Sequence, residues 1–289
     1  MVFRRLQYRY KTAEQVLAIR RAGLLTERIC SAVRQRIAPG ITTLELDRIA
    51  QDVINGAGAS ANFKLEPGYT HAICVSVNDE IVHGVPGARV LAPGDIVSVD
   101  AGAELDGWNG DSAFTVVVPG GESTMRHRRE TLSAVTEQSM WAGIAALADA
   151  RRVNEVGTAV ERYIEDQGDY GILREYVGHG IGRSMHEEPA VFNYHVRMPG
   201  PEVRPGLVIC IEPMVTDGGE ETDTDPEDGW TVRTSDGSNG AHWEHEVAVT
   251  DGGVWVLTAK DGGREGLAPF GVEPSPIVGG DTPGEELTA

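Results

Sequence analysis

No run of about eighteen apolar residues, the length that crosses a bilayer as a helix, occurs in these 289 residues. The basic stretch Met1 to Lys11 is not followed by an apolar core of the kind a secretory signal carries, so the chain is expected to work in the cytoplasm. Cysteine is scarce. Cys30, Cys74 and Cys210 are odd in number, far apart and never in a C-x-x-C pair, which argues against a disulfide framework and a structural zinc knuckle. There is no H-E-x-x-H, no G-x-S-x-G elbow and no G-x-x-x-x-G-K phosphate loop. Gly178 to Gly182 has the wrong spacing for a dinucleotide loop and no helix pattern after it.

What is present is an ordinary globular composition, 40% hydrophobic and 24% charged, with a net charge of −19. That charge is uneven. Residues 1–36 hold nine Arg and Lys against Glu14 and Glu27. This basic segment reads either as a solvated helix face or as a weak docking surface for an anionic partner such as ribosomal RNA. Overall acidity excludes general, tight nucleic-acid binding.

Thr12 is placed to cap a helix running toward Pro39-Gly40, and Thr42 with Glu45 forms a capping-box pattern for a second, ending near Gly56. Strands are expected at Ala72 to Val77, Ile96 to Asp100 and Ala113 to Val118, then helices over 123–149 and 153–167. Further strands follow at Leu207 to Val215, Trp230 to Thr234, Glu244 to Thr250 and Val254 to Thr258. Helices then strands occur twice. Pro93-Gly94 and Pro205-Gly206 each launch an apolar strand with a carboxylate seven residues after the proline, Asp100 and Glu212. The preceding helices match at a similar offset, Glu45 with Glu155 and Ile54 with Ile164. An internal duplication is expected, with halves near 12–120 and 121–258 inside one catalytic domain of residues 1–260. The Gly-, Pro- and acid-rich 261–289 is expected to be a disordered tail, and the acidic stretch Asp217 to Asp228 a solvated loop.

Acids inside apolar strands require a reason. A hairpin centred near Leu105-Asp106 sets Asp100 opposite Asp111, and the repeat places Glu212 and Glu244 equivalently. Four facing carboxylates repel unless protonated or bridged by cations. Two divalent ions balance their charge, and glycine-flanked His179 adds a neutral nitrogen ligand. The donor set suits manganese, iron, cobalt or zinc, and such paired ions lie about 3.5–4 Å apart with a shared hydroxide. Cys210 shares strand parity with Glu212 but reads first as a small packing residue. His83 and His186, each beside a glycine or proline turn, are further candidates.

These segments resemble the methionine aminopeptidases of the pita-bread metallopeptidase family. The matching pieces are His83-Gly84-Val85-Pro86, Asp100, Asp111, Gly178-His179-Gly180-Ile181-Gly182, His186-Glu187-Glu188-Pro189, Ile211-Glu212-Pro213 and Trp243-Glu244-His245. The resemblance implies an α+β fold of two pseudo-symmetric halves, with a curved antiparallel sheet and outer helices. It implies two metal ions held by Asp100, Asp111, His179, Glu212 and Glu244, with Asp111 and Glu244 bridging. It further implies that a metal-held hydroxide attacks the first peptide bond, with Glu212 as general base. His83 and His186 would orient the substrate and stabilise the tetrahedral intermediate, and Cys74, Tyr69, Met185 and Trp230 would wall the methionine pocket. The implied substrate is the N-terminal methionine of nascent polypeptides, and the protein is expected to act as a monomer. No long insertion separates His186 from Glu212, which resembles the short type I form. Two rivals are a proline-specific peptidase of the same fold and a binding protein that has lost its metals.

Overall fold

The computed structural model describes residues 10–277. Both N-terminal helices begin where side-chain chemistry dictates. Helix α1 (Ala13–Arg34) starts at Thr12, which accepts from the Gln15 amide while the Gln15 side chain caps the Thr12 amide. Helix α2 (Thr43–Gly56) starts with the same reciprocal pair, Thr42 and Glu45. Helices α3 (Ser123–Asp149) and α4 (Glu155–Gln167) form the corresponding pair later in the chain.

Two larger antiparallel sheets, beside two three-stranded ones, carry most of the rest. In the first, the strand Ile96–Leu105 pairs with Ile73–Val77 and Ser60–Ala61 on one edge and with Trp108–Val117 on the other. The second orders Gly253–Val256, His245–Thr250, Val208–Ile211, Gly178–Gly180 and Glu187–Val191. Helix α1 packs on the first sheet, and Ile29, Val33, Leu46, Val99, Phe114, Ile144, Ile209 and Val247 belong to one continuous core. The sheets are stitched together between Trp108–Val117 and the segment before His245. The Glu244 amide donates to the Ala113 carbonyl, and Thr115 bonds both the amide and the carbonyl of His242.

Several expectations need correction. The hairpin turns at Asp106-Gly107, both with positive φ, so Asp100 faces Ala113 and Asp111 faces Gly102. Asp100 and Asp111 are therefore diagonal neighbours on one face rather than direct partners. Its strands also run on to Leu105 and back from Trp108, which leaves both aspartates inside strands instead of at their ends. The expected strand Leu207 to Val215 is two strands, because Pro213 has no N–H to continue the ladder. After it, Met214–Thr216 joins Gly240–His242 and Gly171–Ile172 in a separate small sheet.

The fold does not stop at 260. Asp261 caps a short turn by accepting from the Gly263 and Glu265 amides, Leu267 is fully buried in the core, and Ile277 packs with Val16 and Trp255. Apolar residues scattered among glycines and prolines were enough to dock this segment. Residues 278–289 of the expected tail lie outside the described residues, as do Arg4, Arg5 and Arg9 of the basic segment.

The rest of that segment is only partly a surface. Arg20 is buried and donates to the carbonyls of Val256, Leu257, Ala259 and Lys260, and Lys11 pairs with Glu187 at 2.8 Å. Arg21, Arg28 and Arg36 are exposed. No helix among the described residues is long and apolar enough to cross a membrane.

Candidate metal centre and substrate cavity

The stitched seam between the two sheets is where the acids meet. Asp100 and Asp111 come from the first sheet. Glu212 follows the strand Val208–Ile211 at the break imposed by Pro213, and Glu244 precedes His245–Thr250. Carboxylate oxygens of Asp100, Asp111 and Glu244 lie within 4.8 Å of one another. Asp111 Oδ1, Asp100 Oδ1 and Glu244 Oε1 are buried with no hydrogen-bond partner among the described residues. Orphaned buried carboxylate oxygens converging on one point are costly unless a cation completes them.

His179 approaches from the second sheet. It sits in the short strand Gly178–Gly180, where a Cβ on Gly178 would come within 2.3 Å of the Cys210 carbonyl and one on Gly180 within 2.3 Å of the Glu188 carbonyl. Only glycine lets neighbouring strands close on the histidine from both sides. Its Nδ1 lies 3.0 Å from the Gly180 carbonyl, an atom that can only accept, so Nδ1 carries the proton. The lone pair of Nε2 is left facing Glu212 Oε1 at 3.4 Å and Asp111 Oδ2 at 4.0 Å. A backbone carbonyl behind the ring fixes a tautomer fit for metal binding.

Protonation without a metal follows from burial. Desolvation, then mutual repulsion with Glu244, Asp100 and Glu212, pushes Asp111 well above the usual carboxylate range. Glu212 and Glu244 are raised for the same two reasons, and burial lifts Asp100 to about 6. Burial lowers His179 to about 4, keeping the imidazole neutral.

A cavity of about 290 Å³ opens onto this cluster. Every residue to which the resemblance gave a role lines it: Asp100, Asp111, His179, Glu212 and Glu244, together with His83, His186, Cys74, Tyr69, Met185 and Trp230; Cys210 does not. Phe63, Tyr69, Cys74 and Met185 form a compact apolar cluster, closed by Val85 and Trp230. The Tyr69 and Trp230 rings meet edge to face at 5.2 Å, and the Tyr69 hydroxyl donates to the Ile73 carbonyl. His83 has φ 58°, a left-handed conformation rare outside glycine, and its ring packs on Tyr176 at 5.4 Å. Desolvation brings His83 down to about 4. His186 stands at the rim, 59% exposed, with its ring 4.5 Å from that of His179.

A larger cavity, about 680 Å³, is lined by Arg34, Glu137, Trp141 and Trp243. Its strand residues Ser112 and His245 adjoin Asp111 and Glu244 in sequence and so face the other side. Size does not locate the chemistry here; the orphaned carboxylates do.

Sequence reasoning missed three contributors. His242 is 2% exposed, and its Nε2 lies 3.7 Å from Glu212 Oε2. Its place two residues before Glu244 in the sequence was the available signal. Phe63 carries no motif at all. Nor is the acidic stretch simply a solvated loop: Thr222–Thr224 pairs with Val232–Thr234, and Asp228 accepts from the Trp230 and Thr231 amides and the Thr231 hydroxyl. An acid of that stretch therefore fixes the wall residue Trp230.

The family model "Metallopeptidase family M24" matches residues 18–251. The chain belongs to metallopeptidase family M24. It is 41% identical over 248 residues to methionine aminopeptidase 1 of Bacillus subtilis, covering 86% of this chain and 98% of the relative. Among solved structures, the methionine aminopeptidase of Thermotoga maritima superposes with a TM-score of 0.82 at 35% identity, covering 87% of this chain and 99% of that one. The prolidase of Pyrococcus furiosus shares the fold at a TM-score of 0.66 and 20% identity, and this chain covers 65% of its length. The architecture is thus the expected pita-bread fold, and membership of a metallopeptidase family agrees with the candidate metal-ligand groups.

Proposed function

We propose that the chain removes the N-terminal methionine from newly made polypeptides, as a cytoplasmic, monomeric peptidase using two divalent metal ions. The observation that carries this reading is one cavity with an orphaned carboxylate cluster at its floor and a small, sealed apolar subsite beside it. At about 290 Å³ it lies at the small end of ligand cavities, which run about 300–1,000 Å³ and suit a terminal residue better than a long peptide. Asp100, Asp111, Glu212, Glu244 and His179 would hold the ions, and Glu244 belongs to both groups of close donors. The donor set, oxygen with one imidazole, suits manganese, iron, cobalt or zinc.

When bound, such a pair of cations supplies Lewis acidity and makes water a nucleophile near neutral pH. The protein's own groups do the rest. The methionine side chain is buried among Phe63, Tyr69, Cys74, Met185 and Trp230, which excludes water and aligns the first peptide bond. Glu212 takes the proton of the attacking water and passes it toward the leaving amine. Neutral His83 and His186 orient the scissile amide and donate to its developing oxyanion. Buried His242 places a ring nitrogen 3.7 Å from the Glu212 carboxylate. Exposed Arg21, Arg28 and Arg36 offer a basic patch for weak docking on an anionic surface such as ribosomal RNA.

Metal-loaded protein should release free methionine from Met-Gly-Met and Met-Ala peptides. Cleavage of Xaa-Pro dipeptides with no methionine release would favour the proline-specific alternative and overturn the assignment. His83→Ala should lower turnover by about 10²–10³-fold, the usual loss for one oxyanion donor, while bound metal per protein stays unchanged. Metal analysis with steady-state kinetics checks this; a His83→Ala variant cleaving at the wild-type rate removes the role given to His83.

A further inference from the structure

One buried group beside the site has no part in the chemistry above. Cys210, in the strand Val208–Ile211, is completely buried, and its alternation with Glu212 points its side chain toward the acids. Its Sγ, a His179 ring nitrogen and a Glu244 carboxylate oxygen all lie within 4.8 Å of one another. Glu244 Oε1, in that same group, is buried and has no hydrogen-bond partner among the described residues. The other two cysteines are engaged elsewhere: Cys30 donates to the Ser112 carbonyl at 3.7 Å, and Cys74 packs with Phe63, Tyr69 and Met185 in the apolar wall.

Two groups of close donors are thus present, and they differ in character. Asp100, Asp111 and Glu244 offer oxygen only, whereas His179, Cys210 and Glu244 offer nitrogen, sulfur and oxygen. Around one ion, with metal–sulfur near 2.3 Å and metal–nitrogen near 2.0–2.1 Å, neighbouring donor atoms lie roughly 3–3.5 Å apart. Donors already within 4.8 Å reach that arrangement through side-chain adjustment of about an ångström.

We propose that Cys210 is a sulfur ligand at the His179 metal position and biases that position toward thiophilic divalent ions, zinc and cobalt, over manganese. Soft thiolate donors favour such ions, whereas oxygen donors suit manganese. Binding replaces the S–H bond with a metal–sulfur bond and releases the thiol proton to solvent, with no change of oxidation state. The inference rests on the two-metal reading above.

Cobalt(II) added to the metal-free protein tests it. The wild type should develop a near-ultraviolet thiolate-to-cobalt charge-transfer band that Cys210→Ser lacks and Cys30→Ser and Cys74→Ser keep. X-ray absorption on the zinc-loaded wild type, which needs no variant, should show one sulfur at about 2.3 Å. The preference for zinc over manganese should fall about 10- to 100-fold in Cys210→Ser. Two bound ions with only oxygen and nitrogen neighbours, and cobalt spectra alike in wild type and Cys210→Ser, overturn the sulfur ligand and leave the metallopeptidase reading standing. Failure to bind two ions at all overturns both.

Discussion

Glu244→Gln is expected to lower kcat/KM by about 10²–10⁴-fold, the span typical of a group whose charge acts in the transition state. At about 1.4 kcal/mol per factor of ten, the midpoint is roughly 4 kcal/mol of lost transition-state stabilisation. Glutamine keeps the shape and removes the charge. It leaves the pairing of Glu244 with Ala113 through the backbone intact, so the seam between the sheets should hold. The metal-free variant should melt at or above the wild-type temperature, because one of four mutually repelling acids is gone. Metal should then add less stability than it does to the wild type. Asp100→Asn should behave likewise. Loss of activity together with a collapsed metal-free fold would point to a structural role for Glu244, and near wild-type turnover would remove it from the site altogether. Thermal melts with and without metal, beside peptide kinetics, separate these outcomes.

Removing the metal should destabilise the protein more at alkaline than at neutral pH. Asp111, Glu212 and Glu244 have folded values raised well above the ordinary 3.8 to 4.5, and Asp100 is raised to about 6. The folded metal-free protein therefore keeps protons that the unfolded chain gives up, and its stability falls as pH rises through the folded values. The buried histidines His83, His179 and His245 work in the opposite direction, with folded values near 4 against an ordinary 6.5. Their contribution rises with pH, but only between those values. Above about 6.5 the carboxylates alone remain, which sets the window. With metal bound the same carboxylates are ionised in the folded state, so their share of the downward slope disappears and that of buried Glu246 remains. At a metal concentration about a hundred times Kd the stabilisation is about 2.7 kcal/mol, or roughly 5–10 °C in a domain of this size. The gap between metal-loaded and chelator-treated melting temperatures should widen between pH 6.5 and 8.5. Parallel curves across that range would show that the cluster is not buried as described.

Helices α1 and α2 were readable because their starts depend on local chemistry, Thr12 with Gln15 and Thr42 with Glu45. The cluster was readable for a different reason: a carboxylate within or next to an apolar strand conflicts with burial, and four such conflicts share one resolution. Register was harder. A two-residue Asp106-Gly107 turn and a turn one position earlier look alike in sequence, yet they decide whether Asp100 faces Asp111 or Ala113. Burial also depends on partners distant in the chain. Leu267 and Ile277 dock into the core from a stretch whose composition suggests disorder, and Arg20 is drawn inside by carbonyls some 236 to 240 residues away. His242 escaped notice because its importance comes from the Glu212 carboxylate on another strand.

The stitching of Trp108–Val117 to the segment just before His245 has a consequence for how the protein comes to life. On the proposed assignment, Asp100 leaves the ribosome long before Glu244, and neither half of the chain carries the whole ligand set. During its own synthesis the polypeptide stays inert until almost all of it has emerged, so the enzyme that trims young chains passes its own youth without activity.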